Sequence, residues 1–83
     1  MNYEIVWDEK ALQQLKSLDF LIRKRIIVKI DKFVKDPSFH NVKRVQGSGD
    51  YRLRIGEYRV VFELEKNRMI ILKVGHRKNI YKR

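Results

Sequence analysis

Apolar and polar residues alternate at the start of the chain. Tyr3, Ile5 and Trp7 fall on one side and Asn2 and Glu4 on the other, which predicts a short strand over residues 1–7. Asp8 then suits a helix N-cap, and Ala11, Leu12, Leu15 and Leu18 follow at helical spacing. A second helix begins near Asp19. Its apolar stripe is Ile22, Ile26, Ile30, Phe33 and Val34, with Arg23, Lys24, Lys29 and Lys32 mostly off it. Pro37 ends it, because the residue before a proline avoids helical backbone angles. Both stripes are read as core.

The signal is weak over residues 39–50, where Gly47-Ser48-Gly49-Asp50 reads as a loop. Three strand-like runs follow, Tyr51 to Ile55, Tyr58 to Leu64 and Met69 to Val74, and His76 to Arg83 forms a short basic tail. Gly56-Glu57 separates the first two runs with glycine at the first central position, the mark of a type II′ hairpin. The expected fold is α+β in the order β-α-α-β-β-β. It has an antiparallel sheet packed against a helical hairpin, in one domain over residues 1–83.

The hairpin turn fixes a register. Tyr51, Leu53, Ile55, Tyr58, Val60 and Phe62 share the core face, while Arg52, Arg54 and Arg59 share the other. Arg54 then stands opposite Arg59, and like charges directly opposite are destabilising. For the third run, burying Lys73 is expensive. The expected register therefore places Ile70, Leu72 and Val74 inward, and Lys73 outward beside Arg59. It puts Met69 and Ile71 on the outward face and needs a three- or five-residue loop around Lys66-Asn67. The outcome is a basic patch of Arg52, Arg54, Arg59, Lys73 and Arg77. The bland alternative is that these arginines pair with Asp50, Glu57 and Glu63; Glu63 shares this face and could neutralise one member, not five.

Composition sharpens the picture. The 83 residues carry 20 Lys plus Arg against 10 Asp plus Glu, a formal net charge of +10. The excess lies in the second half: residues 43–83 hold 12 basic and 4 acidic side chains. Such asymmetry points to a polyanionic partner, nucleic acid first. An apolar content of 43% argues against full-length disorder. Zero Cys excludes a disulfide scaffold and a thiolate zinc site. With neither a membrane-length apolar run nor a signal-like start, the expectation is a soluble cytoplasmic protein with no membrane partner.

Familiar catalytic constellations are missing. There is no GxxxxGK[ST] phosphate loop and no carboxylate cluster for paired Mg²⁺ ions; the two histidines, His40 and His76, are far apart in sequence, so no metal site is expected. His40 reads as a surface loop residue. Arg, Tyr and His beside a basic face suit metal-free RNA cleavage, in which RNA supplies its own 2′-hydroxyl nucleophile. The protein must then stabilise a dianionic phosphorane and assist two proton transfers. Arginine does the first well. Arg and Tyr move protons poorly, since both hold theirs until well above neutral pH, so such an enzyme is slow unless something else aligns the RNA. Tyr81 could alternatively stack on a base or cover the core edge.

The run Tyr51-Arg52-Leu53-Arg54-Ile55-Gly56-Glu57-Tyr58-Arg59-Val60-Val61-Phe62, followed by Val74-Gly75-His76-Arg77 and Tyr81, resembles the RelE/ParE superfamily of toxins. The strand ending in Trp7-Asp8, the helical hairpin and Lys43-Arg44-Val45-Gln46-Gly47 agree with it, so the resemblance spans nearly the whole chain. It implies a RelE-type toxin that enters the ribosomal A site and cleaves mRNA there by 2′-hydroxyl attack, without metal or cofactor. Ribosomal binding would supply the RNA alignment.

Carried over by position, Arg52 and Arg54 match the paired basic residues of that strand, and Arg59 the arginine that holds the scissile phosphate. Arg77 matches the arginine that stabilises the transition state or leaving group. Tyr81 matches the tyrosine that stacks on a base or assists proton transfer. His76 resembles a histidine that other members use near this point and stands as a candidate general acid or base. Lys43, Arg44, Lys73, Lys78, Lys82 and Arg83 are candidate RNA contacts. The best-known RelE pattern has lysines where this chain has Arg52 and Arg54, and a longer spacing from Arg77 to Tyr81.

The resemblance further implies a RelB-like antitoxin, small and acidic, that displaces the C-terminal segment or masks the basic face, with operator DNA engaged only through that partner. Two other readings share the fold: a non-enzymatic ParE-like inhibitor of DNA gyrase, and an RNA- or ribosome-binding module without chemistry. The aligned arginines favour the nuclease.

Overall fold

In the computed structural model, which describes residues 3–45, 47 and 49–80, strand β1 (Glu4–Trp7) leads into helices α1 (Glu9–Lys16) and α2 (Phe20–Lys35). A 3-10 turn at Phe39–Asn41 follows. Four strands come next: β2 (Val42–Arg44), β3 (Tyr51–Ile55), β4 (Tyr58–Glu65) and β5 (Arg68–His76). A one-turn helix, α3 (Arg77–Ile80), closes the described chain. The Asp8 carboxylate accepts from the Lys10 backbone N–H at 3.2 Å, as an N-cap should. Helix α2 starts at Phe20 and ends just before Pro37, where the sequence places its limits.

The five strands form one sheet in the order β1-β5-β4-β3-β2. The expected antiparallel meander is there in β3, β4 and β5. The sheet as a whole is mixed, because β1 pairs parallel with β5, and the short β2 adds an antiparallel edge beside β3. Neither pairing is written in a local pattern. Beyond the last β1 pair, at Trp7 and Ile71, the Gln14 side chain takes over the edge and accepts from the Val74 N–H at 2.9 Å.

The helical pair covers one sheet face. Ala11, Leu15, Ile26, Ile30, Phe33 and Val34 pack on Leu53, Ile55, Val60, Phe62, Met69, Ile71 and Val74, all buried. This burial is the main stabilising term in a small chain without crosslinks.

Two expectations about β5 are corrected. Met69 and Ile71 point inward and are fully buried, while Ile70 and Leu72 stay outside the core cluster. Lys73 is outward as expected, yet it pairs with Val61, and Gly75 lies beside Arg59. The cause is a β-bulge: Val61 faces Lys73 and the next residue, Phe62, faces Ile71, so Leu72 is one residue too many on its side. Strict alternation counted back from Lys73 therefore inverts everything upstream of the bulge.

The β4–β5 connection is also shorter than expected. Glu65 pairs with Arg68, leaving a two-residue turn of Lys66-Asn67. Its first position matches that of the other hairpin: Gly56 has φ 58°, and Lys66 has the same φ without glycine's freedom. A left-handed conformation costs a side-chain-bearing residue about 1–2 kcal/mol. Lys66→Gly is therefore expected to raise the melting temperature by about 2–8 °C, after allowing for glycine's unfolded-state entropy. A thermal melt followed by circular dichroism checks this; a lower melting temperature would show that Lys66 is not strained.

Candidate nucleic-acid interface

The sheet face away from the helices carries two rows of side chains set by the hairpin register. Lys43, Arg52, Val61 and Lys73 form one row, and Arg54, Arg59 and Gly75 the next. Arg54 stands directly opposite Arg59, as the turn residues predict. The like-charge pair is accommodated by divergence. Arg54 reaches toward the 3-10 turn, with its Nη2 at 3.5 Å from Asn41 Oδ1. Arg59 bends back on its own turn, where Nη1 donates to the Gly56 carbonyl at 2.8 Å and to the Tyr58 carbonyl at 2.9 Å.

These two bonds use both hydrogens of Arg59 Nη1 and leave its Nε–Nη2 edge without a partner among the described residues. That edge is the planar fork that grips a phosphate through two parallel hydrogen bonds.

Two hollows meet at this pair. The first, of about 320 Å³, is lined by His40, Asn41, Val42, Lys43, Arg52, Arg54 and Arg59. The second, of about 610 Å³, shares Asn41, Arg54 and Arg59 with it and extends past Gly56 and Glu57 to Arg77. Arg77 is held at the hairpin tip: its Nε lies 2.6 Å from Glu57 Oε2, and its backbone N–H donates to the Glu57 carbonyl at 2.8 Å. Both partners of this ion pair are more than half exposed, so the pair orients Arg77 and contributes little to stability.

The sequence-based candidates thus divide. Arg52, Arg54, Arg59 and Lys43 converge on the first hollow, and Arg77 joins Arg54 and Arg59 in the second. Lys73 shares the sheet face but lines a separate hollow with Lys10 and Gln14 of α1 and Ile80 of α3. Arg44 pairs with Tyr51 on the helix-covered face, with its guanidinium 5.6 Å from that ring's centre. His76 pairs with Tyr58 and packs edge-on to its ring at 5.3 Å, again on the core face, while its Nδ1 accepts from the Lys78 N–H. Lys78 lines neither hollow. Tyr81, Lys82 and Arg83 lie outside the described residues.

His40, set aside as a loop residue, instead lines the first hollow, brought there by the 3-10 turn. Arg25 and Lys29 of α2 were also missed, and both line the second hollow. Their signal is present in the sequence: they precede Ile26 and Ile30 by one position each, so they stand one turn apart on the flank of the buried stripe. Among the described residues, no group of three or more His, Asp or Glu side chains comes together as a metal site would need.

Comparison with known proteins places this geometry among relatives. Residues 5–81 match the family described as ParE toxin of the type II toxin–antitoxin system, parDE. Toxin RelE3 of Methanocaldococcus jannaschii is 30% identical, with 94% of each chain covered. Among solved structures, the chain superposes on the RelB–RelE antitoxin–toxin complex of Methanococcus jannaschii with a TM-score of 0.75 at 30% identity. That match covers 92% of this chain and 94% of the other. The archaeal RelE–RelB complex of Pyrococcus horikoshii OT3 gives a TM-score of 0.79 at 25% identity, over 95% and 99% of the two chains. The isolated RelE toxin of E. coli, 23% identical, shares the fold with a TM-score of 0.76 over 89% of this chain and 83% of that one.

Proposed function

As this chain belongs to the RelE/ParE superfamily of type II toxin–antitoxin toxins, we propose that it is a ribosome-dependent endoribonuclease that cuts mRNA in the A site. The observation that carries this reading is the convergence of Arg52, Arg54 and Arg59 with Lys43 and His40 on one groove of the open sheet face.

In the proposed reaction the RNA 2′-oxygen attacks the adjacent phosphorus. The 2′-O–P bond forms, the P–O5′ bond breaks, the 2′-hydroxyl loses its proton and the 5′-oxygen gains one. Charge accumulates on the non-bridging phosphate oxygens, and Arg59, which lines both hollows, keeps its Nε–Nη2 edge to meet it. Arg77, held by Glu57, supplies a second positive charge one hollow away. Histidine is the side-chain type that exchanges protons near neutral pH, and His40 is the histidine lining the groove. The ribosome supplies the alignment of the RNA, which this shallow surface does not.

The partner is a RelB-like antitoxin. The structures of relatives from M. jannaschii and P. horikoshii are complexes of RelE with RelB, and an acidic protein complements a chain of net charge +10. Operator DNA is reached through that antitoxin. An apolar hollow of about 400 Å³, which includes Trp7, Leu12, Ile27 and Val28, adds surface for such a partner to bury. No helix among the described residues is long and apolar enough to cross a membrane.

The matching family is described by the name ParE, which favours a second reading: an inhibitor of DNA gyrase that cuts nothing. Primer extension on an mRNA in programmed ribosomes separates the two, with naked RNA as the control. The expected result is a cut in the A-site codon that requires ribosomes and is weakened at least tenfold, about 1.4 kcal/mol, in Arg77→Ala. No cut by the wild type would overturn the nuclease reading and turn attention to gyrase.

A further inference from the structure

We propose that Arg25 and Lys29 of α2, with Arg54, Arg59 and Arg77, form a second phosphate-binding hollow that carries single-stranded RNA around the hairpin tip and onto the helix. The inference rests on RNA being the ligand and extends its path to an element outside the sheet.

The second hollow gathers five cationic side chains, Arg25, Lys29, Arg54, Arg59 and Arg77, against a single carboxylate, Glu57. That carboxylate is already engaged by Arg77 Nε. Arg25 and Lys29 have no ion pair or hydrogen bond to another side chain among the described residues, although α2 does hold one such pair, Lys35–Asp31 at 3.0 Å, elsewhere on the helix. The Arg25 guanidinium lies against the turn backbone, so that a Cβ on Gly56 would sit 3.7 Å from it. Three guanidinium groups therefore crowd one β-turn: Arg25 over Gly56, Arg59 on the Gly56 carbonyl and Arg77 on Glu57.

Uncompensated cations this close repel one another, and folding gains nothing from collecting them. An anion resolves the conflict. The hollow is open, contiguous with the first through Asn41, Arg54 and Arg59, and too polar for an apolar ligand. Two adjoining cationic hollows suit successive phosphates of one strand better than a single small anion. A phosphate held in the first hollow leaves the next one facing Arg25 and Lys29.

The test is fluorescence anisotropy of the isolated toxin with a short single-stranded RNA across salt from about 50 to 200 mM. The double variant Arg25→Ala/Lys29→Ala is compared with Lys16→Ala/Lys24→Ala, which removes the same charge from exposed positions lining neither hollow. Each phosphate contact contributes about 0.7 to the slope of log K against log salt for a single strand. The expected result is a slope lowered by about 1.4 in the α2 double variant and little changed in the control, with the melting temperature of neither variant reduced. Equal slopes in the two variants, or no RNA binding by the wild type, would overturn the proposal. A lowered slope without any ribosomal cleavage would uphold it and overturn the nuclease reading alone.

Discussion

Replacing Arg59 with alanine is expected to reduce ribosome-dependent cleavage by about 10²- to 10³-fold, equivalent to roughly 2.7–4 kcal/mol of transition-state stabilisation. The direction of Arg59 is fixed by the protein itself. Two backbone carbonyls of its own hairpin hold Nη1, so the remaining edge needs no reorganisation as charge develops on the phosphate. Arg54 has a single long contact to Asn41 and is the less constrained of the pair.

Arg59→Lys separates charge from geometry. Lysine restores the positive charge but neither the fork nor the double contact to the turn carbonyls, so most of the loss should remain. The fold should survive both changes, because losing two hydrogen bonds is offset by relief of the repulsion with Arg54. Primer extension on programmed ribosomes gives the rate and circular dichroism the melting temperature. Wild-type cutting by Arg59→Ala would remove this residue from the reaction.

The second large effect is on stability. Phe62→Ala is expected to cost about 3–5 kcal/mol. Phe62 is fully buried on β4 beside the bulge, with the Phe33 ring edge-on at 5.4 Å and the Tyr51 ring stacked at 5.5 Å. It links the helical layer to the hairpin. For a domain of this length, each kcal/mol moves the melting temperature by about 4–8 °C, so the fall should be about 12–40 °C. Net stability of small domains is about 5–15 kcal/mol, which leaves little margin in a chain without a disulfide. Phe62→Leu keeps most of the volume and should keep the fold. A fall of less than about 5 °C in Phe62→Ala would show that the core closes around the gap.

The parts legible in the sequence are those with a local cause. Asp8, the spacing of Ile26, Ile30, Phe33 and Val34, and Pro37 mark the helices because capping, periodicity and a missing N–H act within a few residues. Gly56 fixed the β3–β4 register, and through it the facing of Arg52, Arg54 and Arg59, the central part of the candidate site.

What escaped depends on distant partners. The run Met69 to Leu72 is apolar throughout, so it carries no phase of its own, and only pairing with β4 reveals the bulge. Strand β2 is three residues long and exists because β3 offers an edge. The same short strand turns Lys43 to the open face and sets Arg44 on the side of Tyr51, where it stays exposed, a distinction that charge alone could not make. Arg25 and Lys29 look like ordinary solvent-facing helix residues until α2 is laid beside the hairpin tip.

The bulge at Leu72 also bears on heredity. Met69, Ile71, Val74 and His76 fall on the covered side and Ile70, Lys73 and Gly75 on the open side, so the strand alternates perfectly once Leu72 is left out of the count. Loss of the Leu72 codon would therefore leave every other β5 side chain on its own side of the sheet. One codon elsewhere in the strand would turn part of it inside out. What changes is the local twist, and with it the angle at which β5 delivers Arg77 to Glu57. A deletion at this point can thus change how Arg77 is presented while the order of the core face stays as it is.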